Sequence, residues 1–302
     1  MTDPLPALCL IAMPGRRRRT IDLCREAEQR GFDGIYVPSP MGNLSMCEAL
    51  AWQTERIAFA TSIVPIYQRT MIDFCQSAAM MHEVSGGRFS LGIGIAHGPS
   101  YVRMGVTPGK PLADTRAFIE KFRAETSFGP LPPIIIAALR KKMVALAGEL
   151  AEGVVFANVS RSHMPESLAA LPAAKRKTGF FIGNMIPTCI SDDVAAAKEV
   201  NRRTLTRYAG LPNYRNYWKE AGYVEEMTAI EKALAENRPD DVPKYLTDKW
   251  LADNTLFGPA AKVREGVAAW RAAGVHTPIL VPSSAGGNQL KAIEEVFSAF
   301  SR

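Results

Sequence analysis

Short apolar segments rich in β-forming residues alternate with longer amphipathic segments along almost the whole chain. Apolar runs of this length, separated by stretches with helical periodicity, indicate strands of a parallel sheet that alternate with helices. The pattern therefore predicts eight strands. They cover residues 5–13, 34–37, 57–64, 88–94, 133–138, 153–158, 178–190 and 276–282.

The ends of the predicted helices carry their own signals. Ser45 with Glu48, and Thr70 with Asp73, have the spacing of a capping box, in which a hydroxyl accepts a hydrogen bond from a free backbone N–H. Glycine also stands where helices are expected to stop, because it adopts the left-handed conformation without penalty. These helix-end glycines are Gly31, Gly86, Gly87, Gly210 and Gly274.

Eight strand–helix units can form either an open doubly wound sheet or a closed barrel. The first strand is not followed by the G-x-G-x-x-G turn that is typical of open dinucleotide-binding sheets. We therefore predict an α/β protein with a single (β/α)8 TIM barrel over residues 1–302. Residues 211–257 are rich in Tyr and Trp and predict a helical insertion before the last strand. This insertion either covers the barrel mouth or packs against the outside of the barrel.

Composition narrows the class of protein. Hydrophobic residues make up 47% of the 302 residues and charged residues 22%, as in soluble globular proteins. The net charge is +6, and the sharpest basic run is the four consecutive arginines at 16–19. This run lacks the interleaved aromatic residues of a nucleic-acid site, so we expect a small-molecule substrate and no nucleic acid.

The five cysteines are widely spaced and form no C-x-x-C pair, which indicates reduced thiols rather than disulfides or a zinc site. The apolar stretch 5–13 has its arginine run after it instead of before it and lacks an A-x-A-like cleavage site, so we do not expect it to be a signal peptide. No window reaches the ~18 apolar residues of a membrane span. We therefore predict a cytoplasmic protein that does not bind a membrane.

In a barrel, the active site lies on the loops that follow the strands. Here these loops are poor in acids and nucleophiles, and the sequence contains neither a G-x-S-x-G elbow nor a Walker loop. The four histidines are far apart without metal-ligand spacing, so no metal site is predicted. A protein that supplies so few reactive groups is expected to rely on a cofactor.

Seven segments follow one another in a characteristic order and spacing: 31–37, 54–62, 84–94, 133–138, 151–155, 258–263 and 273–275. In these segments the chain resembles the luciferase-like monooxygenase superfamily, whose members are flavin- or coenzyme F-420-dependent barrels. The resemblance covers nearly the whole chain and implies a flavin-type coenzyme and a homodimer.

The resemblance also implies site residues. Ser62–Ile63 matches the position of a non-proline cis peptide that contacts the coenzyme ring, and Gly94, Ile95 and Ala96 match residues that line the ring. His97 follows them and is our candidate for the catalytic acid–base, since histidine exchanges protons near pH 7. The alternative is a loop histidine that only forms hydrogen bonds to backbone.

The resemblance also concerns residues that match the family's phosphate-binding positions and residues that follow the second strand. Residues 137–140, which are Ala137, Ala138, Leu139 and Arg140, match a loop that meets the phosphate at a helix N-terminus, where free N–H groups attract an anion. Leu139 and Arg140 replace the glycines usual there, so Arg140 and Lys141 would supply charge instead. Asn158 matches another phosphate contact. Ser39 and Pro40 stand where several F-420-dependent relatives have an acid and a histidine, which argues against a sugar-phosphate dehydrogenase but leaves the coenzyme site partly intact. Ser39 is included among the coenzyme contacts.

Three functions fit these observations. The first is an F-420-dependent oxidoreductase that transfers hydride between the deazaflavin and a small organic substrate. The second is an FMN-dependent monooxygenase that works with a flavin reductase, and the third is a barrel that binds a cofactor without turnover. The arginine run at 16–19 favours F-420, which carries a phosphate and a polyglutamate tail, although the run also fits a solvated surface. We expect the loop at 98–111 and the insertion to form the substrate pocket.

Overall fold

The computed structural model describes residues 4–176 and 179–301. All eight predicted strands are present within these ranges, although Thr178, the first residue of the seventh predicted strand, lies outside them. Two short strands, β4 and β9, were not predicted as separate elements. The strands are β1 (Ala7–Cys9), β2 (Gly34–Val37), β3 (Ala58–Thr61), β4 (Val64–Pro65), β5 (Phe89–Gly94), β6 (Ile134–Ala137), β7 (Gly153–Ala157), β8 (Phe181–Ile190), β9 (Leu256–Gly258) and β10 (Thr277–Ser283).

Helices connect the strands. The segment at 98–111, which the sequence indicates as a loop, contains the short helix α4. The α-helices are α1 (Arg17–Arg30), α2 (Asn43–Gln53), α3 (Met71–Val84), α4 (Gly98–Met104), α5 (Pro111–Ala124), α6 (Lys141–Leu150), α7 (Met164–Leu168), α8 (Val194–Ala209), α9 (Pro212–Glu220), α10 (Val224–Ala235), α11 (Val242–Tyr245), α12 (Asp248–Asn254), α13 (Ala260–Ala272) and α14 (Gln289–Ala299).

The capping predictions had different outcomes. The Thr70 hydroxyl accepts a hydrogen bond from Asp73 N at 3.3 Å and caps α3, as predicted. The cap predicted at Ser45 is wrong, because Met41 and Gly42 adopt left-handed backbone conformations and start α2 at Asn43. Ser45 therefore lies inside the helix, where no free N–H needs its hydroxyl.

Glycines end helices where the sequence predicts. Gly31 ends α1 in the left-handed conformation with φ 83°, and its N–H bonds to carbonyls of the last turn. Gly210 ends α8 with φ −66°, so its position is as predicted but its backbone conformation is right-handed.

The strands form one sheet with the order β10, β1, β2, β3, β5, β6, β7, β8. Because β8 also pairs with β10, these eight strands form a closed ring. Each of the two short strands pairs with one strand of this ring: β4 pairs with β5, and β9 pairs with β8. The pairings whose register is defined are parallel. The fold is therefore a (β/α)8 TIM barrel, as predicted.

Contacts divide the described residues into two compact units. The first unit contains residues 4–155, 169–176 and 179–183, and the second contains residues 156–168 and 184–301. The assignment of the whole chain to one domain stays a prediction. In the first unit the largest fully buried side chains are Phe59, Phe74, Phe89, Phe122, Leu8, Leu10 and Leu23.

The predicted insertion is helical and belongs to the second unit, where it forms α9 to α12. Trp218 and Trp250 are fully buried and meet edge to face, with ring centroids 4.7 Å apart. Tyr214, Tyr217 and Tyr223 are also buried. These aromatic side chains therefore form a core within the unit instead of lining an open pocket. No helix within the described residues is long and apolar enough to cross a membrane.

Candidate functional site

The carboxyl ends of neighbouring strands lie level with one another in the first unit. Val37 of β2 pairs with Thr61 of β3, and Ile93 of β5 pairs with Ile136 of β6. Because all of these strands are parallel, the residues that follow them lie at one edge of the sheet. The predicted site residues at this edge are Ser39, Ser62, Ile63, Gly94, Ile95, Ala96, His97, Ala137, Ala138, Leu139 and Arg140.

Ile63 contacts residues of two neighbouring strands at this edge. The Ser62–Ile63 peptide bond is cis, as the family resemblance implies. A Cβ atom placed on Gly94 would lie 3.0 Å from Cγ1 and Cδ1 of Ile63 and 3.0 Å from Cβ of Ala137. The structure therefore brings Ile63, Gly94 and Ala137 into direct contact, and glycine at position 94 leaves room for the Ile63 side chain.

The backbone around Ile63 is held by two neighbouring elements. Ser62 is buried, and its N–H donates to the carbonyl of Val37 at 2.7 Å. The Asn43 side chain, at the start of α2, donates from Nδ2 to the carbonyl of Ile63 at 3.1 Å. Sequence reasoning missed Asn43, because an asparagine after glycine indicates only a turn or a helix start.

β3 and β5 approach each other very closely beneath this edge. Thr61 Oγ1 donates to the carbonyl of Gly92 at 2.7 Å. A Cβ atom on Gly92 would lie 1.8 Å from the backbone oxygen of Thr61. Only glycine fits at position 92 in this arrangement, because any side chain would overlap the neighbouring strand.

The exposed part of this edge is mainly apolar. We call the half-buried side chains of Ile63, Ile95, Ala96, Ala137 and Leu139 the strand-end platform. A planar aromatic ring needs an apolar surface of this kind against one face, with a few polar groups at its rim. The residues at the platform therefore fit a flavin-type ring.

His97 follows the platform residues and lies between β5 and α4. Its carbonyl accepts hydrogen bonds from the N–H groups of Ser100 and Tyr101 at 2.8 and 3.2 Å, which fixes its backbone at the start of α4. Partial burial lowers the pKa of His97 below its usual value. The imidazole is therefore neutral at pH 7, the form in which a histidine can act as a base.

A second polar cluster stabilises the segment after His97. The Tyr67 hydroxyl donates to Asp114 Oδ2 at 2.5 Å, and Gly109 N donates to the same oxygen at 2.9 Å. The ring of Tyr101 in α4 contacts the Tyr67 ring edge to face, with centroids 5.8 Å apart. Burial and the Asp114 hydrogen bond raise the pKa of Tyr67, so its phenol stays protonated. No sequence signal marks this cluster, because its residues are up to 47 positions apart.

The loop after β6 leads directly into α6. Ala138 is buried, and its N–H donates to the carbonyl of Val155 at 3.0 Å. Arg140 is the N-cap residue of α6, and both Arg140 and Lys141 are exposed. The α6 N-terminus thus combines free N–H groups with two cations, which fits a phosphate group.

Asn158 follows β7 and belongs to the second unit. It adopts a left-handed conformation with φ 56° and is buried. Its carbonyl accepts a hydrogen bond from Trp218 Nε1 at 3.1 Å, and its side chain bonds to the Tyr214 hydroxyl. These bonds hold Asn158 against the aromatic core of the insertion, and the predicted phosphate contact at Asn158 stays a prediction.

Two predicted features remain at the surface. Ser39 is half-buried and follows β2, in agreement with its predicted position at a strand end. The four arginines at 16–19 are exposed and stand at the start of α1, after β1. Their charges add to the positive end of the helix dipole, an arrangement that favours nearby anions.

The sequence pattern of luciferase-like monooxygenases matches residues 9–277 of this chain. The chain belongs to the luciferase-like monooxygenase family. The family prediction is thereby confirmed, as is the prediction that the protein is an oxidoreductase.

Two similar proteins have names or titles that describe coenzyme F-420-dependent enzymes. A Mycobacterium tuberculosis protein that bears the name of a putative coenzyme F420-dependent oxidoreductase is 27% identical over 87% of this chain and 90% of its own length. The F-420-dependent tetrahydromethanopterin reductase of Methanopyrus kandleri has a similar structure, with a TM-score of 0.76 and 18% identity over 98% of this chain and 97% of its own.

A similar fold also occurs with a different coenzyme. The oxygenating constituent of 3,6-diketocamphane monooxygenase from Pseudomonas putida, solved in complex with FMN, has a TM-score of 0.61 and 16% identity. The match covers 98% of this chain and 97% of that protein. The fold is therefore common to proteins that use either coenzyme.

Proposed function

We propose that this luciferase-like protein is a coenzyme F-420-dependent oxidoreductase that transfers hydride between the deazaflavin ring and a small organic substrate. The observation that carries the proposal is the strand-end platform, with His97 as the titratable side chain that follows it. The Mycobacterium tuberculosis relative with an F-420-dependent name supports the choice of coenzyme.

The chain's own groups have separate tasks in this proposal. The platform side chains would provide the apolar surface against which the ring packs. Arg140, Lys141 and the α6 N-terminus would hold the coenzyme phosphate. The bound coenzyme supplies the carbon atom that gives or accepts hydride. In the direction of substrate oxidation, neutral His97 would accept the proton that the substrate loses together with the hydride, and in the reverse direction the protonated side chain would return that proton.

The second candidate is an FMN-dependent monooxygenase, which the FMN-bound structural neighbour supports. That function needs a flavin reductase as a partner. The homodimer and the cytoplasmic location inferred from the sequence remain predictions.

Titration of the purified protein distinguishes the two candidates. We expect F-420 to bind with saturable quenching of its fluorescence, and FMN to bind at least ~100-fold more weakly, a free-energy difference of roughly 3 kcal/mol. Tight binding of FMN without binding of F-420 would favour the monooxygenase. If neither coenzyme binds, the proposed function is wrong.

Charge reversal at the α6 N-terminus tests the phosphate contact. Arg140→Glu removes a cation and places a carboxylate beside the phosphate, so we expect the Kd for F-420 to rise by about 10-fold or more. The affinity for the deazaflavin ring fragment without phosphate and tail should stay unchanged. Fluorescence titration at low and high salt measures both effects, because salt screens the surface charges.

Arg56→Glu is the matched control for this charge reversal. Arg56 precedes β3, at the amino end of the parallel strands, and its side chain is 68% exposed. The control should bind F-420 like the wild type. Equal weakening by both variants would indicate an effect of net charge and would contradict a phosphate site at Arg140.

A further inference from the structure

We propose that Asn43 is a positioning residue that fixes Ile63 as the surface against which the coenzyme ring packs. The inference rests on the proposed function, and it concerns a buried side chain that is bonded to one residue of the platform. Asn43 is buried at the start of α2, twenty positions before Ile63.

Both ends of the Asn43 amide are used. Nδ2 donates to the carbonyl of Ile63 at 3.1 Å, and Oδ1 accepts from Leu44 N at 2.9 Å. The hydrogen bond from Leu44 N fixes the Asn43 side chain to the first turn of α2. The hydrogen bond to the Ile63 carbonyl links the same side chain to the segment that follows β3. A single buried amide therefore joins a helix to one residue of the platform.

Each of the other contacts around Ile63 limits a different movement. Ser62 N is bonded to Val37 O, which fixes the preceding residue to β2. The Ile63 side chain lies in the space left by Gly94 and against Ala137. The hydrogen bond from Asn43 orients the backbone carbonyl of Ile63, which neither the Ser62 bond nor the side-chain contacts hold.

The chemistry of an amide suits this position. A carbonyl oxygen needs a donor, and an amide supplies one from its nitrogen while its oxygen accepts from Leu44 N. The informative variant is Asn43→Asp, because it has nearly the same shape, keeps the acceptor for Leu44 N and replaces only the donor. When the introduced carboxyl is ionised, it faces the Ile63 carbonyl and the two oxygens repel each other.

The experiment measures coenzyme binding and does not require turnover. We expect Asn43→Asp to raise the Kd for F-420 by about 10-fold at pH 8, because a buried acceptor loses its donor. The visible absorption band of the bound coenzyme should move towards that of the free coenzyme. At a pH low enough to protonate the introduced carboxyl, the donor returns and affinity should recover relative to the wild type.

Asn201→Asp is the matched control. Asn201 is also fully buried, and its Nδ2 donates to the carbonyl of Leu256 at 2.9 Å in the second unit. The control should lower thermal stability while leaving coenzyme affinity and the absorption band unchanged. If Asn43→Asp does not fold, Asn43→Ser, which keeps a small polar side chain, is measured in the same way.

The outcomes separate the inference from the proposed function. Wild-type affinity and spectrum for the Asn43 variant at every pH would overturn the positioning role alone. An equal loss of affinity in the Asn201 control would also overturn it, since the effect would then be one of general stability. If the wild type binds neither F-420 nor FMN, the proposed function fails and the positioning role fails with it.

Discussion

His97→Ala is expected to lower the turnover of the F-420-dependent reaction by ~100-fold or more, while coenzyme affinity stays nearly unchanged. The side chain follows the strand-end platform, and its contribution lies in proton exchange, not in holding the ring. Steady-state kinetics on the variant, together with a fluorescence titration of the coenzyme, separate the two effects.

The pH dependence provides an independent check. Partial burial lowers the pKa of His97, so in the direction of substrate oxidation, where His97 acts as a base, the acid limb of the rate profile should have its midpoint below the ordinary value of about 6.5. Above that midpoint the imidazole is neutral and the rate should level off. This limb should disappear in the alanine variant. An unaltered turnover, or a limb that persists in the variant, contradicts the catalytic role.

The second large effect is expected on stability. Gly92→Ala would place a Cβ atom 1.8 Å from the backbone oxygen of Thr61, whereas carbon and oxygen atoms in contact lie about 3.3 Å apart. β3 and β5 would have to separate, which breaks the bond from Thr61 Oγ1 to the Gly92 carbonyl. We expect a loss of about 3 kcal/mol and a fall in the unfolding midpoint of roughly 5 °C.

Gly98→Ala is the control for this substitution. A Cβ atom on Gly98 would meet no heavy atom within 4 Å, and the residue is at the start of α4, where alanine is a good helix former. Thermal unfolding followed by circular dichroism compares the two variants. A Gly92→Ala protein as stable as the Gly98→Ala protein would show that the two strands can separate without cost.

The barrel could be predicted well because the alternation of strands and helices is a local property. Each strand is a short apolar run, and signals such as Thr70 and Gly31 depend only on residues a few positions away. Ser45 failed as a cap because the left-handed conformations of Met41 and Gly42 start the helix earlier. Nothing in a capping-box spacing reveals that turn.

The candidate site was predictable only where it follows the strand ends. His97 and Ile63 could be placed because they come directly after β-rich runs and match a family pattern. Asn43 and the pair of Tyr67 and Asp114 could not, because each acts through a partner 20 or 47 positions away. Such pairings depend on how strands and helices pack, which sequence periodicity does not contain.

The aromatic core of the insertion has an optical consequence. Trp218, Trp250 and Trp270 are buried in the second unit, whereas Trp52, in the first unit, is 66% exposed. Buried indoles emit at shorter wavelengths than indoles in water, so most of the change in intrinsic emission on denaturation will come from the second unit. Unfolding of the first unit, which carries Ile63 and His97, will change tryptophan emission very little, because its Trp52 is already exposed. A separate fluorescent probe in the first unit is needed to follow its unfolding.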